Sequence, residues 1–252
     1  MFGKVIYIDK KKLNEYMAMS TGKNVAVIAS MQVTNDKEVG VDIPVLSAGM
    51  KGSKSYEATI VESFLYDISK FEKTLNNRDD FFDFTTSCDK FDLNTINRGS
   101  IIKFDSNIFV PAEFDMTDLI GQFKSMLTED MISGMSKQES EAFSSFFAIH
   151  NPKIPILSEV SNYLLSSLID SESLQITYTE LEDYELLEVT FLARIITNSV
   201  INKSKPIFDP LKDFMSMNRT VRKQFLGDRP EGIKEIFADS DYKKIEVIAI
   251  YQ

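Results

Sequence analysis

Residues 49–55 read Gly-Met-Lys-Gly-Ser-Lys-Ser and precede a helix. A glycine-rich loop in that position can cradle a phosphate with backbone N–H groups while lysines neutralise its charge. Lys51, Lys54 and the Ser55 hydroxyl are the groups that would hold such a ligand. The spacing departs from a Walker A loop, because Ser53 rather than lysine follows the second glycine and no clean buried strand leads in. A flexible cationic linker is the alternative reading of the same residues.

Carboxylates supply the next candidates. Asp79, Asp80, Asp83, Asp89 and Asp92 carry enough oxygen for magnesium or calcium. Their spacing is not that of an EF-hand, and the interleaved Phe81, Phe82, Phe84 and Phe91 suggest an acidic loop pinned to a core. Glu180, Glu182, Asp183, Glu185 and Glu188 form a second run, read as a charged turn between two strands. Neither run shows the desolvation that paired carboxylates need for general acid–base work. His150 as a base and Cys88 as a nucleophile have no motif around them, and His150 beside Asn151-Pro152 suits a helix C-terminus. One cysteine and one histidine exclude an intramolecular disulfide, a thiolate zinc site and a two-histidine zinc site. No GxSxG, kinase or dinucleotide fingerprint occurs, so no catalytic residue, metal or cofactor is assigned.

The elements that must position these groups come from an ordinary globular composition. Of 252 residues, 43% are hydrophobic and 26% charged, enough apolar mass for a substantial core in one large or two small domains. A net charge of -10 repels nucleic-acid phosphates and anionic lipid on average. The basic clusters at Lys10, Lys11 and Lys12 and at Arg219, Arg222 and Lys223 are read as solvated faces. No apolar run approaches the ~18 residues of a membrane helix, and residues 1–9 lack a signal-peptide core, so the expected location is the cytoplasm.

Along the chain, a strand at 4–9 leads into a lysine-rich helix with Leu13, Tyr16 and Met17 at helical spacing. A strand at 25–33, a loop at 35–56 and a helix carrying Ile60, Phe64, Ile68, Phe71 and Leu75 follow. Residues 78–92 have no clean period and are read as irregular; strand pieces at 100–104 and 108–111 come next. Asp115 caps a helix, Ser136 with Glu139 opens another, and Pro152 and Pro155 mark a boundary near 150. From 153 the order is read as β-α-β-β-α-β. Ser158 caps a helix bearing Val160, Leu164 and Leu168, strands span 174–181 and 188–197, Asp209-Pro210 opens the second helix, and 244–251 is a buried strand. The expected architecture is therefore α+β in two packed halves, 1–150 and 151–252, the second ferredoxin-like. Segments 111–119 and 206–214 echo each other, as a duplication or as the common chemistry of strand-to-helix junctions.

The opening Tyr7-Ile8-Asp9, the following Leu13-Asn14-Glu15-Tyr16, the 49–55 loop, Phe64, Leu65 and Leu75, and the terminal Ile248-Ala249-Ile250-Tyr251 resemble a widespread bacterial and archaeal family known only as a domain of unknown function. The resemblance spans most of the chain and implies no catalytic residues. The leading expectation is a non-enzymatic interaction or regulatory protein, with a protein partner or self-association, in a setting such as phage defence. A nucleotide- or phosphate-ligand sensor using the 49–55 loop is the second reading, and a carboxylate metal-dependent hydrolase using 79–92 the third.

Overall fold

A computed structural model describes residues 3–21, 64–85, 92, 95–116, 119, 152–160, 162–214 and 233–252. The expectations for 25–33, 35–56 and the helix at 136 lie outside these residues, as do Lys51, Lys54, Ser55, Cys88, Asp89, His150, Arg219, Arg222 and Lys223. Helices and a seven-stranded mixed sheet make the fold α+β.

Strand β1 (Val5–Ile8) leads into α1 (Lys10–Thr21), then α2 (Phe64–Leu75), β2 (Phe81–Asp83) and β3 (Ile101–Ser106). After residue 150 come β4 (Lys153–Val160), β5 (Tyr163–Asp170), β6 (Val189–Ile195) and β7 (Tyr242–Tyr251). The strand order is β2-β3-β6-β7-β5-β4, with β1 on β7. Strands from both sides of residue 150 thus share one sheet.

β7 is its axis. One edge pairs antiparallel with β6 from Thr190 opposite Tyr251 to Ile195 opposite Ile245. Its other edge is shared: Tyr242 to Lys244 pair in parallel with Leu164 to Ser166 of β5, and Ala249 to Tyr251 pair with β1. The sheet also curls. Phe109, just past β3, exchanges two backbone hydrogen bonds with Leu157 of β4 (2.8 and 2.7 Å), and the Ser106 hydroxyl bonds both backbone groups of Glu159. Hydrogen bonding therefore runs from β3 through β6, β7, β5 and β4 back to the end of β3, which covers much of the edge an open sheet would expose.

Alternation along the strands divides the apolar residues between two cores. Ile102, Phe104, Ile154, Ile156, Phe191, Ala193, Ile245 and Val247 fill the larger one, where the Phe104 and Phe191 rings stack at 5.0 Å. Ile8, Ile101, Leu192, Ile248 and Ala249 face α1 and α2 and meet Leu13, Met17, Ile68, Phe71 and Leu75. Asp9 caps α1 by accepting from the Lys12 backbone N–H at 3.0 Å, offsetting three lysines at the dipole's positive end.

Three expectations are corrected. The helix expected from Ser158 is instead the hairpin β4–β5, paired from Lys153 opposite Asp170 to Val160 opposite Tyr163, so the ferredoxin-like β-α-β-β-α-β order does not form. Val160, Leu164 and Leu168 are spaced by four, which fits a strand's period of two as well as a helical stripe, and cross-strand pairing decides. The strand expected at 174–181 is a single bridge from Leu174 to Tyr7 followed by a 3-10 helix, Thr179–Glu185. That helix's three-residue period puts Leu181 and Tyr184 on the buried face. Within 78–92, β2 runs parallel to β3. The Asp209-Pro210 junction is as read: the Asp209 carboxylate accepts from the Leu211 N–H (3.2 Å) at a short helical turn, Pro210–Phe214. The two echoing segments meet, with Phe114 and Phe208 edge to face at 5.2 Å.

Candidate functional site: a lysine crevice in the sheet

Between Lys244, the last β7 residue paired with β5, and Ala249, the first paired with β1, that edge of β7 has no strand partner among the described residues. A crevice of about 280 Å³ lies here, lined by Ser166, Ser167 and Leu168 of β5 and by Lys244, Ile245 and Glu246 of β7. Lys12 of α1, Lys153 of β4 and Lys212 of the 210–214 turn complete a ring of four lysines. Strand alternation produces part of this ring. Lys243 turns into the barrel, where its ammonium lies 3.4 Å from the Ile96 carbonyl, while its neighbour Lys244 lines the crevice.

The cations differ in how they are balanced. Lys12 lies 2.9 Å from Asp9 and 3.6 Å from Glu246, and Lys212 lies 3.1 Å from Asp213. Lys244 forms no ion pair among the described residues; its ammonium lies 6.0 Å from the centre of the Tyr242 ring. Burial holds the Lys244 ammonium below the ordinary lysine range, and the like charge of Lys212 lowers it further while Asp213 opposes. Glu246 ties the crevice to α1 by accepting the Tyr16 hydroxyl as well. Ser166 is buried and stands in register with Lys244.

A second cleft of about 180 Å³ lies beyond Tyr16, lined by Tyr16, Ser20, Arg78, Asp80, Gly99 and Arg194 among others. Its cations already have hydrogen-bond partners. Arg78 donates two bonds of 2.7 Å to the Asp80 carboxylate, which this pairing holds below the usual carboxylate range. Arg194 donates to the Tyr16 hydroxyl (3.2 Å), stacks over that ring, and points Nε at the Gly99 carbonyl. Gly99, at φ 100°, adopts the left-handed turn that presents this carbonyl.

The residues singled out from the sequence do not gather here. Lys51, Lys54 and Ser55 lie outside the described residues. Of the 79–92 carboxylates, Asp80 holds Arg78, Asp83 accepts from Thr85 and Asp92 accepts from Tyr163. Among the described residues no three His, Cys, Asp or Glu side chains come together for a metal. Lys12, read as part of a solvated basic run, is the one flagged residue that reaches the crevice. The Lys243-Lys244 pair, followed by Glu246, at the head of a strand that is apolar from Val247 to Tyr251 was the available signal for Lys244. The chain matches no protein-family model, no curated protein and no solved structure. Among the described residues no helix is long and apolar enough to cross a membrane.

Proposed function

We propose that the protein is a non-enzymatic regulatory protein that senses a small anion of the phosphate or carboxylate class in the lysine crevice. One observation carries this reading: four lysines and the buried Ser166 converge on one crevice of a chain whose net charge is -10. Asp9, Glu246 and Asp213 pair with Lys12 and Lys212, Lys153 and Lys244 form no ion pair among the described residues, and ammonium groups on flexible stems suit a phosphate as point-charge donors. The sensing role expected for the 49–55 loop is here supported at a different place in the fold. The family resemblance assigns no activity, so the reading rests on the crevice alone.

Calorimetric titration and thermal shift at low salt with inorganic phosphate, sulfate, pyrophosphate and nucleotides test it. An anion at 100 times its Kd adds about 2.7 kcal/mol to the unfolding free energy, and the double variant Lys153→Ala/Lys212→Ala removes that gain. The reading fails if no anion stabilises the protein, or if the gain survives the double variant.

A partner-binding role has its own observation in Leu186 and Leu187, adjacent apolar side chains 90% and 45% exposed after the 179–185 helix. If they mediate self-association, Leu186→Ser/Leu187→Ser shifts the sedimentation coefficient to that of a monomer; an unchanged value removes this role.

A further inference from the structure

We propose that Lys244 is a reactive amine that condenses reversibly with the carbonyl group of a small anionic aldehyde or ketone held in the lysine crevice. This deepens the anion-binding reading and rests on it. The geometry divides the labour among the lysines. Lys12 and Lys212 are ion-paired with carboxylates at 2.9 and 3.1 Å, and the exposed Lys153 stands at the start of β4, so these three supply the field that holds an anion. Lys244 rises from the strand floor where β5 departs, half-buried and without an ion pair among the described residues. A lysine becomes a nucleophile when it is desolvated beside another cation, because both effects favour the neutral amine.

The groups facing Lys244 are Lys212 and Asp213 from the 210–214 turn, Glu246 from its own strand, Lys12 from α1 and Lys153 from β4. Burial and Lys212 push its proton off, and Asp213 works against them. The Lys244 nitrogen lone pair attacks the carbonyl carbon, the C=O π pair moves to oxygen, and the proton lost from nitrogen ends on that oxygen. A second proton, taken from solvent, lets the C–O bond break and the oxygen leave as water while the nitrogen lone pair forms the C=N bond, and the remaining N–H proton returns to solvent. Amine and carbonyl give imine and water, with no change of oxidation state. Ser166, in register with Lys244, supplies a hydroxyl on the neighbouring strand that can donate to the developing oxyanion.

The test traps the imine on the full chain with glyoxylate and sodium cyanoborohydride at pH 7.5, then locates the carboxymethyl group by peptide mass mapping. Expected is carboxymethylation of Lys244 in preference to the exposed lysines, because burial and the neighbouring Lys212 both favour its neutral amine. Excess sulfate should slow it, and uncharged propanal should react more slowly. Lys244→Arg keeps the cation and loses the adduct, with an unfolding midpoint measured alongside. If sulfate stabilises the protein but Lys244 is labelled no faster than surface lysines, the imine proposal is overturned and anion binding stands. If Lys244 is preferred but propanal reacts equally fast and sulfate gives no protection, the anionic ligand class and the reading beneath it are overturned. The wild-type trapping experiment decides whether or not a variant folds.

Discussion

The arginine cleft, reached by Arg194 of β6, and the lysine crevice on β7 are both lined by cations, and they differ in what those cations already hold. In the arginine cleft, Arg78 is spent on both oxygens of Asp80 and Arg194 on Tyr16 and the Gly99 carbonyl. In the lysine crevice, Glu246 is divided between Lys12 and Tyr16, and Lys244 has no carboxylate partner among the described residues. A planar guanidinium forms a closed bidentate pair within its own cleft, whereas an ammonium on a long stem keeps donors to spare. Positive residues at a cleft therefore do not by themselves make an anion site; donors left free to turn to a ligand do. Glu246 and Tyr16 join the two, so the arginine cleft braces α1 against the sheet while the lysine crevice stays open.

The largest test of this contrast removes the strand that lines the lysine crevice and pairs with β6, which carries Arg194 of the other cleft. Deleting residues 245–251 takes away the strand bonded to β6 and β1, and no cooperative calorimetric transition should remain. A soluble, cooperatively melting product would show that neither cleft depends on β7. Phe191→Ala keeps the strands but opens a hole beside Phe104, since Phe191 is fully buried; urea unfolding should show a loss of about 3–5 kcal/mol.

Arg194→Leu separates the clefts. It should cost about 1–3 kcal/mol in urea unfolding, because Tyr16 and the Gly99 carbonyl lose a donor, while sulfate affinity stays the same. Lys153→Ala and Lys212→Ala should do the converse, each weakening sulfate about fivefold for a loss of about 1 kcal/mol and leaving stability within about 0.5 kcal/mol. Equal effects of Arg194→Leu and the lysine variants on sulfate would erase the distinction.

A pH titration sharpens it further at smaller cost. Sulfate keeps its charge, so its affinity should fall with rising pH from below the ordinary lysine value of about 10.4 as Lys244 gives up its proton. Stability follows two opposing rules. Because the folded Lys244 holds its proton less tightly than the unfolded one, stability rises with pH in the window below that value. Tyr7, Tyr16 and Tyr251 are raised by burial, and Tyr251 also by donating to Glu72, so the unfolded chain ionises first and stability falls once pH passes about 10. Urea midpoints from pH 7 to 11 measure the sum, and a midpoint still climbing at pH 11 would contradict the tyrosine assignments.

Legibility along the chain followed the strength of local signals. Helices α1 and α2 declared themselves through Leu13, Met17, Ile68, Phe71 and Leu75, all buried as their spacing requires. β7 was visible as an apolar run, and Asp209-Pro210 as a helix start, because cap and proline chemistry is local. The 158–168 segment was ambiguous, since its leucines satisfy two periods and only pairing with a neighbour resolves which. β2 is three residues long and exists only because β3 lies beside it. The crevice was illegible for a related reason: Lys12, Lys153, Ser166, Lys212 and Lys244 come from separate stretches of chain, and no motif connects them.

By itself the sequence determined the acidic charge, the exclusion of an intramolecular disulfide and of zinc sites built on several thiolates or two histidines, the α+β class and the helices that carry a full apolar stripe, because composition and short-range periodicity are properties of neighbouring residues. Tertiary structure alone decided that β4 and β5 form a hairpin, that the sheet curls back on β3, and that β5 leaves β7 at Lys244 so that four lysines face one space. Strand partners and the gaps between them depend on contacts between distant segments, whose stability comes from burying a shared core rather than from any local preference.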